Sequence, residues 1–136
     1  MAPRWARGYG VHMHRSRVGV ILIDHSEGHD EALGFWAGAT GTTPREDDSP
    51  EYTSLGYVVS LSLALQRTGA GTPGRVHLDI EADDVRAEVA RVVALGARLV
   101  DDKEEYAILE DPAGLVFCVV PVQTGDRFDA EATTWP

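Results

Sequence analysis

The order of predicted secondary-structure elements occurs twice along the chain, and this repeat constrains the fold more than any other feature. Each copy is predicted to contain a strand, then a helix, then two or three further strands. Aligning Gly41 with Gly96, the glycines that end the two predicted helices, gives a period of about 55 residues. The two copies share few identical residues, so the order of elements, rather than the letters, predicts two related modules.

The first copy starts with an apolar, β-branched run over residues 18–23, which predicts a buried strand. A helix is predicted over 30–39, where apolar residues recur at spacings of three and four: Ala32, Leu33, Phe35, Trp36 and Ala39. A strand over 52–55, a turn at Gly56 and a strand over 57–66 follow. In this last strand Leu61, Leu63 and Leu65 form an apolar face, against which we expect Trp36 to pack.

The second copy begins with a strand over 75–80. A helix follows, capped by Asp83 or Asp84 and ending near Leu95. The buried stripe of this helix is predicted to be Val85, Val89, Val92 and Val93. Three strands complete the copy, at 98–101, 105–109 and 115–120.

These predictions give one domain over 18–121 with a segment on either side. The domain consists of module one at 18–66, a glycine-rich linker at 67–74 and module two at 75–121. Residues 1–17 carry four arginines and no acid and are predicted to form an irregular basic arm, in which Met13 is an alternative start. Residues 122–136 are predicted to be a polar, acidic tail with Phe128 and Trp135 isolated in it.

Charge and cysteine content exclude several classes of protein. The 136-residue chain has a net charge of −10, from 12 basic and 22 acidic residues, whereas a nucleic-acid-binding protein would show a basic face. The sequence contains no apolar run of the roughly 18 residues that predict a membrane span. Cys118 is the only cysteine, which excludes a disulfide framework and favours the reducing cytoplasm.

Six stretches carry a resemblance to a known family, at 21–24, 29–41, 63–67, 75–85, 93–97 and 111–120. The three longest read H-D-E-A-L-G-F-W-A-G-A-T-G at 29–41, R-V-H-L-D-I-E-A-D-D-V at 75–85 and D-P-A-G-L-V-F-C-V-V at 111–120. The chain resembles the glyoxalase-like domains of the vicinal oxygen chelate superfamily, which includes glyoxalase I, bleomycin-resistance proteins and extradiol dioxygenases. The resemblance implies an α+β fold, in which two βαβββ modules form a curved mixed sheet around a cleft with the helices outside.

Metal-using members of that superfamily hold a divalent ion between four side chains of the cleft. Carried over by position, those four ligands fall near Val20 and Gln66 and on His77 and Cys118. Valine offers no ligand atom, and a thiol in an apolar run is typical of a small buried hydrophobe. We therefore expect no metal cofactor; were a divalent ion bound, His77 and Gln66 would hold it.

His77 is the strongest candidate functional residue. It alternates with Val76 and Leu78, so if the apolar face meets the helices, His77 faces the cleft. There it would ligate, act as a base or bind a ligand; the alternative is a purely structural histidine. The resemblance implies a ligand-binding cleft lined by Ser60, Ser62, Gln66, His77 and Cys118. No catalytic residue is assigned.

Three functions follow as hypotheses. The first is a glyoxalase-like protein that binds a small organic molecule and has a depleted metal site. The second is a metal-dependent lyase, isomerase or dioxygenase that uses His77. The third is a ligand-free dimeric interaction module. A small organic ligand and a second copy of the chain in a homodimer are the expected partners, with neither nucleic acid nor membrane.

Overall fold

The computed structural model describes residues 13–40, 42–58, 60–112 and 114–136. The first copy of the repeat consists of β1 (His14–His25), α1 (His29–Thr40), β2 (Arg45–Glu46), β3 (Tyr52–Val58) and β4 (Leu61–Arg67). The second consists of β5 (Arg75–Ala82), α2 (Val85–Ala94), β6 (Arg98–Asp102), β7 (Ala107–Glu110) and β8 (Val116–Pro121). A short helix, α3 (Asp126–Glu131), and a strand, β9 (Thr133–Trp135), end the chain. The prediction of an α+β fold with two βαβββ copies is confirmed.

The described chain divides into two compact units, one over Val20–His77 and the other comprising residues up to Gly19 together with Leu78–Pro136. In the first of these, β2, β3 and β4 pair antiparallel in turn, and β4 pairs parallel with the second half of β1. In the other, β5 pairs parallel with β8, whereas β7 pairs antiparallel with both β8 and β6. Parallel neighbours need a crossover connection, and each copy of the repeat supplies one that contains a helix.

Helix α1 packs on one face of the sheet in the unit Val20–His77. The buried cluster there consists of Ile23, Leu55, Leu63 and Leu65, and Ala32, Leu33, Trp36 and Ala37 pack against it. The predicted packing of Trp36 on the leucine face is confirmed, because the cluster on which it packs contains Leu63 and Leu65. Of the other residues in the helix prediction, Phe35 and Ala39 lie outside the described side chains, and Gly41 lies outside the described residues.

Helix α2 packs on the sheet of the other unit. The buried cluster consists of Ala82, Val89, Val92, Ala107, Leu109 and Val119. The helix begins as predicted, because the side chain of Asp84 accepts a hydrogen bond from the backbone nitrogen of Ala87 at 2.9 Å. Val93 is 37% exposed, so its place in the predicted buried stripe is wrong. It follows Val92 directly and is therefore rotated by a large angle around the helix, away from the core.

The turn predicted at Gly56 is a bulge. Gly56 has a φ of +82° and lies inside β3, where the pairing with β4 shifts register. As a result β3 continues to Val58 and β4 begins at Leu61, which divides the single strand predicted over 57–66. A glycine within an alternating pattern is typical of both a turn and a bulge, and the sequence does not distinguish them.

Strand β1 begins at His14, so residues 14–17, predicted to lie in an irregular arm, belong to it. Residues 1–12 of the predicted arm lie outside the described residues. The start of the strand pairs antiparallel with β9, with His14 opposite Trp135. Arg15 donates through its backbone nitrogen at 2.6 Å and its Nε at 2.9 Å to the carboxylate of Asp83. These partners are distant in sequence, and local patterning therefore gave no sign of them.

The two aromatic residues predicted to be isolated in a polar tail instead anchor the C-terminal segment. Phe128 is 1% exposed, and the guanidinium of Arg15 lies 4.9 Å from the centre of its ring. Trp135 donates from Nε1 to Ser16 Oγ at 3.0 Å, and the guanidinium of Arg91 stacks 3.9 Å from its ring. The segment after β8 is therefore part of the folded unit.

Glu81 is fully buried and binds the same C-terminal segment. Its carboxylate accepts hydrogen bonds from the backbone nitrogens of Gln123 at 2.7 Å and Thr124 at 3.0 Å, and from the hydroxyl of Thr124. Arg17 Nε lies 3.4 Å from this carboxylate. Gly19 leaves room for it, because a Cβ atom at position 19 would lie 2.5 Å from Glu81 Cδ.

Glu88 is a second fully buried acid in this unit. His14 Nε2 lies 2.7 Å from Glu88 Oε2, and Arg91 donates two hydrogen bonds, at 2.8 and 2.7 Å. Burial acts most strongly on the pKa of Glu88 and favours the neutral acid. The hydrogen bonds from Arg91 and His14, with the charge of Arg91, together outweigh it and hold that pKa below its usual value.

Truncation of Trp36 to alanine is expected to lower the free energy of unfolding by about 3 kcal/mol, since it removes an aromatic ring that packs on the core. Urea titration of the wild type and Trp36→Ala measures this loss. Leu115→Ala is the control, because Leu115 is 57% exposed and its truncation should change stability little. Equal losses in the two variants would contradict the assigned packing of α1.

Replacement of Glu88 by glutamine is expected to destabilise the protein by about 3 kcal/mol at neutral pH, because the buried His14 and the partly exposed Arg91 lose their anionic partner. The folded-state pKa of Glu88 is lowered, so its contribution is present above the ordinary glutamate pKa and is lost as the pH falls through the folded value. The difference in the free energy of unfolding between wild type and Glu88→Gln should therefore become smaller at acid pH. Exposed Glu104, changed to glutamine, should show no such narrowing in the same denaturation series.

Candidate functional site

Strand β5 carries the predicted functional histidine on a polar, buried face. His77, Asp79 and Glu81 alternate along this face and are 7%, 7% and 0% exposed. Ile80, on the opposite face, packs against the α2 cluster. Val76 and Leu78 were also predicted to meet a helix, but they are 50% and 37% exposed. Helix α2 therefore covers only the second half of the apolar face.

His77 is held by a buried carboxylate at the end of the first apolar strand. Its Nδ1 lies 2.7 Å from Oδ2 of Asp24, and both side chains are buried. A carboxylate oxygen accepts, so His77 donates through Nδ1. Arg75 Nε donates to the same Oδ2 at 3.3 Å, and its side chain is 45% exposed. Among the described residues, Asp24 Oδ1 is a buried atom without a hydrogen-bond partner.

Gln66 lies directly opposite Asp24 in the parallel pairing of β4 with β1. Its Nε2 donates to Tyr52 Oη at 3.0 Å. Ser62 is on the same face of β4 as Gln66 and lies opposite Val20. Ser60 precedes β4, in the turn after β3. Of the predicted cleft residues in this unit, His77 therefore contacts Asp24 and Gln66 is the strand neighbour of Asp24, whereas Ser60 lies in a turn outside the strand.

The four-ligand metal set implied by the resemblance does not fit these residues. Val20 is 5% exposed and forms an apolar cluster with Leu22, Ala64 and Tyr52. That position supplies no ligand atom. Gln66 donates its amide nitrogen to Tyr52, which leaves its amide oxygen as the atom that could ligate. The implied set therefore retains at most three of its four ligands, from Gln66, His77 and Cys118.

A different pair of donors lies after the histidine, on β5 and its neighbour β8. Cys118 on β8 is half-buried and is paired with Asp79 on β5, so their side chains share a face. The ligand atoms of Asp79 and Cys118 lie within 4.8 Å of each other. One carboxylate and one thiol are a donor pair that suits zinc or a softer ion better than magnesium or calcium.

A separate cavity of about 640 Å³ lies between the start of α2 and the β6–β7 connection. Its wall is largely acidic, with Asp83, Asp84, Asp102, Glu104 and Glu105, and also includes Arg86, Lys103 and Tyr106. None of the five predicted cleft residues lines it.

The family model for the glyoxalase-like domain matches residues 20–120. The chain belongs to the glyoxalase-like domain family. No curated protein matches its sequence. Among the helices of the described ranges, none is long and apolar enough to cross a membrane.

Solved structures similar to this glyoxalase-like domain support the same fold. A glyoxalase/bleomycin resistance protein/dioxygenase superfamily member from Vibrio splendidus has a TM-score of 0.54 at 14% identity, over 78% of this chain and 97% of its own. A hypothetical protein from Bacillus halodurans has a TM-score of 0.60 at 13% identity, and the match covers 79% of this chain and 95% of that protein. A protein from Legionella pneumophila described as an NAD-dependent benzaldehyde dehydrogenase also has a TM-score of 0.60 at 13% identity. That match covers 76% of this chain and 98% of the Legionella protein. At such identities the likeness extends to the fold alone.

Sequence reasoning about this glyoxalase-like domain missed Asp24 and Arg75. Asp24 directly follows an apolar run, and a polar residue at that position is typical of the end of a strand. Arg75 directly precedes the strand residues that were assigned to faces. The available signal was the position of a lone carboxylate at the end of an otherwise apolar buried strand, because such a charge is rarely left without a cation.

Proposed function

We propose that this glyoxalase-like domain binds a small organic molecule at the polar face around His77 and Gln66, without the metal centre of its metal-using relatives. The observation that supports this most directly is the occupation of the first metal-ligand position by Val20, which is buried among apolar side chains. Beside it, the hydrogen-bonded group of Asp24, His77 and Arg75 supplies the polar contacts that orient a ligand.

A metal-dependent enzyme is the second candidate, because Asp79 and Cys118 bring a carboxylate and a thiol together, and His77 precedes Asp79 by two residues on the same strand. In addition, a metal-ligating histidine commonly donates its other ring nitrogen to a carboxylate, as His77 does to Asp24. When bound there, a zinc-like ion would supply Lewis acidity. The reaction class under this candidate is a lyase, an isomerase or a dioxygenase.

Metal analysis separates the two candidates. After purification without an affinity tag, we expect nickel, zinc, iron and manganese to be substoichiometric, since the implied four-ligand set is incomplete. Inductively coupled plasma mass spectrometry measures the ratio of ion to chain. About one ion per chain, lost in both His77→Ala and Cys118→Ala, would support the metal-dependent candidate instead.

A thermal-shift screen of small organic acids, alcohols and amides tests ligand binding. A compound at a hundred times its dissociation constant stabilises the folded state by about 2.7 kcal/mol and should raise Tm by roughly 10 °C in a domain of this size. The shift should shrink in His77→Gln and persist in Leu115→Ala, which changes an exposed side chain. An absence of any shift across the screen would favour the ligand-free interaction module.

The homodimer and the cytoplasmic location stay predictions. Light scattering after gel filtration measures the first. The single cysteine, which excludes internal disulfides, supports the second.

A further inference from the structure

We infer that the ligand of this site is a small carboxylic acid with a hydrogen-bond donor on its second carbon, a 2-hydroxy or 2-amino acid. Its donor would bind Asp24 Oδ1 and its carboxylate would bind Arg75. The inference rests on the proposed function, because it names the class of molecule that the same polar face accepts.

The first step is the unmet hydrogen-bonding capacity of Asp24. The side chain is 0% exposed, and an ionised carboxylate there should accept on both oxygens. Oδ2 accepts from His77 at 2.7 Å and from Arg75 at 3.3 Å. Oδ1 has no partner within the described ranges of the chain. Buried acceptors that lack a donor are rare in folded proteins and are typical of places that bind water or a ligand.

The second step is that the neighbouring side chains on the same face do not supply the missing donor. Leu22 precedes Asp24 by two residues on β1, and Ala64 lies opposite Leu22 on β4. Both are apolar and buried. Gln66, opposite Asp24, gives its amide nitrogen to Tyr52 at 3.0 Å. A donor for Oδ1 must therefore come from a molecule that is not part of this face.

The third step is the position of a cation beside this acceptor. Arg75 uses Nε to bind Asp24, and its side chain is 45% exposed. Its two Nη atoms make no hydrogen bond to any of the residues that the structure describes. A guanidinium with two outward nitrogens is well suited to a carboxylate, which it binds in a planar, paired geometry.

Together these groups define the ligand class. The unpartnered acceptor is Oδ1 of Asp24, and the guanidinium is held by Oδ2 of the same carboxylate. A ligand that binds both groups therefore carries a donor and an anion close together. In a 2-hydroxy or 2-amino acid the donor and the carboxylate are on adjacent carbons. The nearby Val20, Leu22 and Ala64 favour an apolar substituent over a further charge.

Isothermal titration calorimetry with 2-hydroxyisovalerate, valine and isovalerate tests this inference. The three acids share one carbon skeleton and differ at the second carbon, which carries a hydroxyl, an ammonium group or only hydrogen. We expect the hydroxy acid, the amino acid or both to bind about tenfold or more tightly than isovalerate, because only they satisfy Asp24 Oδ1. Which of the two binds more tightly identifies the donor.

Three variants accompany the titrations. Arg75→Gln should weaken the binding of all three acids about tenfold, since it removes the cation for their shared carboxylate. Asp24→Asn should abolish the preference over isovalerate. The matched control is Arg98→Gln, which changes an arginine that is 68% exposed and also paired with an acid, and it should leave all affinities unchanged.

Several outcomes would overturn the inference. Equal affinities for the three acids in the wild type would do so, and so would unchanged binding in Arg75→Gln; both remain measurable even if Asp24→Asn fails to fold. If none of the three binds while the thermal-shift screen finds another compound, this ligand class is wrong and the proposed function stands. If none of the three acids binds and the thermal-shift screen also finds no ligand, the ligand class and the proposed function are both wrong, and Asp24 Oδ1 binds only water.

Discussion

A carboxylate buried at the end of the first strand is the constraint on which the candidate site depends. Asp24 is fully buried, and an isolated charge in that position would be strongly destabilising. His77 and Arg75 compensate it through one oxygen and are themselves oriented by it. The position of the histidine ring is thus a consequence of a charge that folding placed inside the unit.

Buried acids paired with cations recur in the other unit. Glu81 and Glu88 are also 0% exposed, and each has a basic partner from the start of β1, Arg17 for Glu81 and His14 for Glu88. In a chain with a net charge of −10, three arginines, Arg17, Arg75 and Arg91, are thus placed beside fully buried acids. His14 and Arg17 therefore connect the start of β1 to buried acids, in a segment that pairs with β9 instead of forming an irregular arm.

The sequence predicted those parts of the fold that depend on local patterning. The stripe around Trp36, the cap at Asp84 and the alternation through His77 and Asp79 depend on residues a few positions apart, and periodicity shows them directly. The pairing of His14 with Trp135 and the buried Glu88 depend on partners from distant segments, whereas the glycine at position 56 is compatible with both a turn and a bulge. For the site, His77 and Gln66 were predicted, but Asp24 was not. A lone carboxylate at the end of an apolar strand indicates that a cation is needed, but it does not identify partners more than fifty residues away.

The close approach of Gly19 to Glu81 means that the residues at these two positions, which are distant in sequence, constrain each other during evolution. A side chain at position 19 would displace a carboxylate that binds the backbone of Gln123 and Thr124. A mutation at position 19 in the first strand would therefore weaken the attachment of the C-terminal segment, although the two are far apart in sequence. Positions 19 and 81 should consequently covary among relatives: where the glycine is replaced, a shorter residue should stand at 81, and the segment after β8 should then be free to diverge in length and sequence.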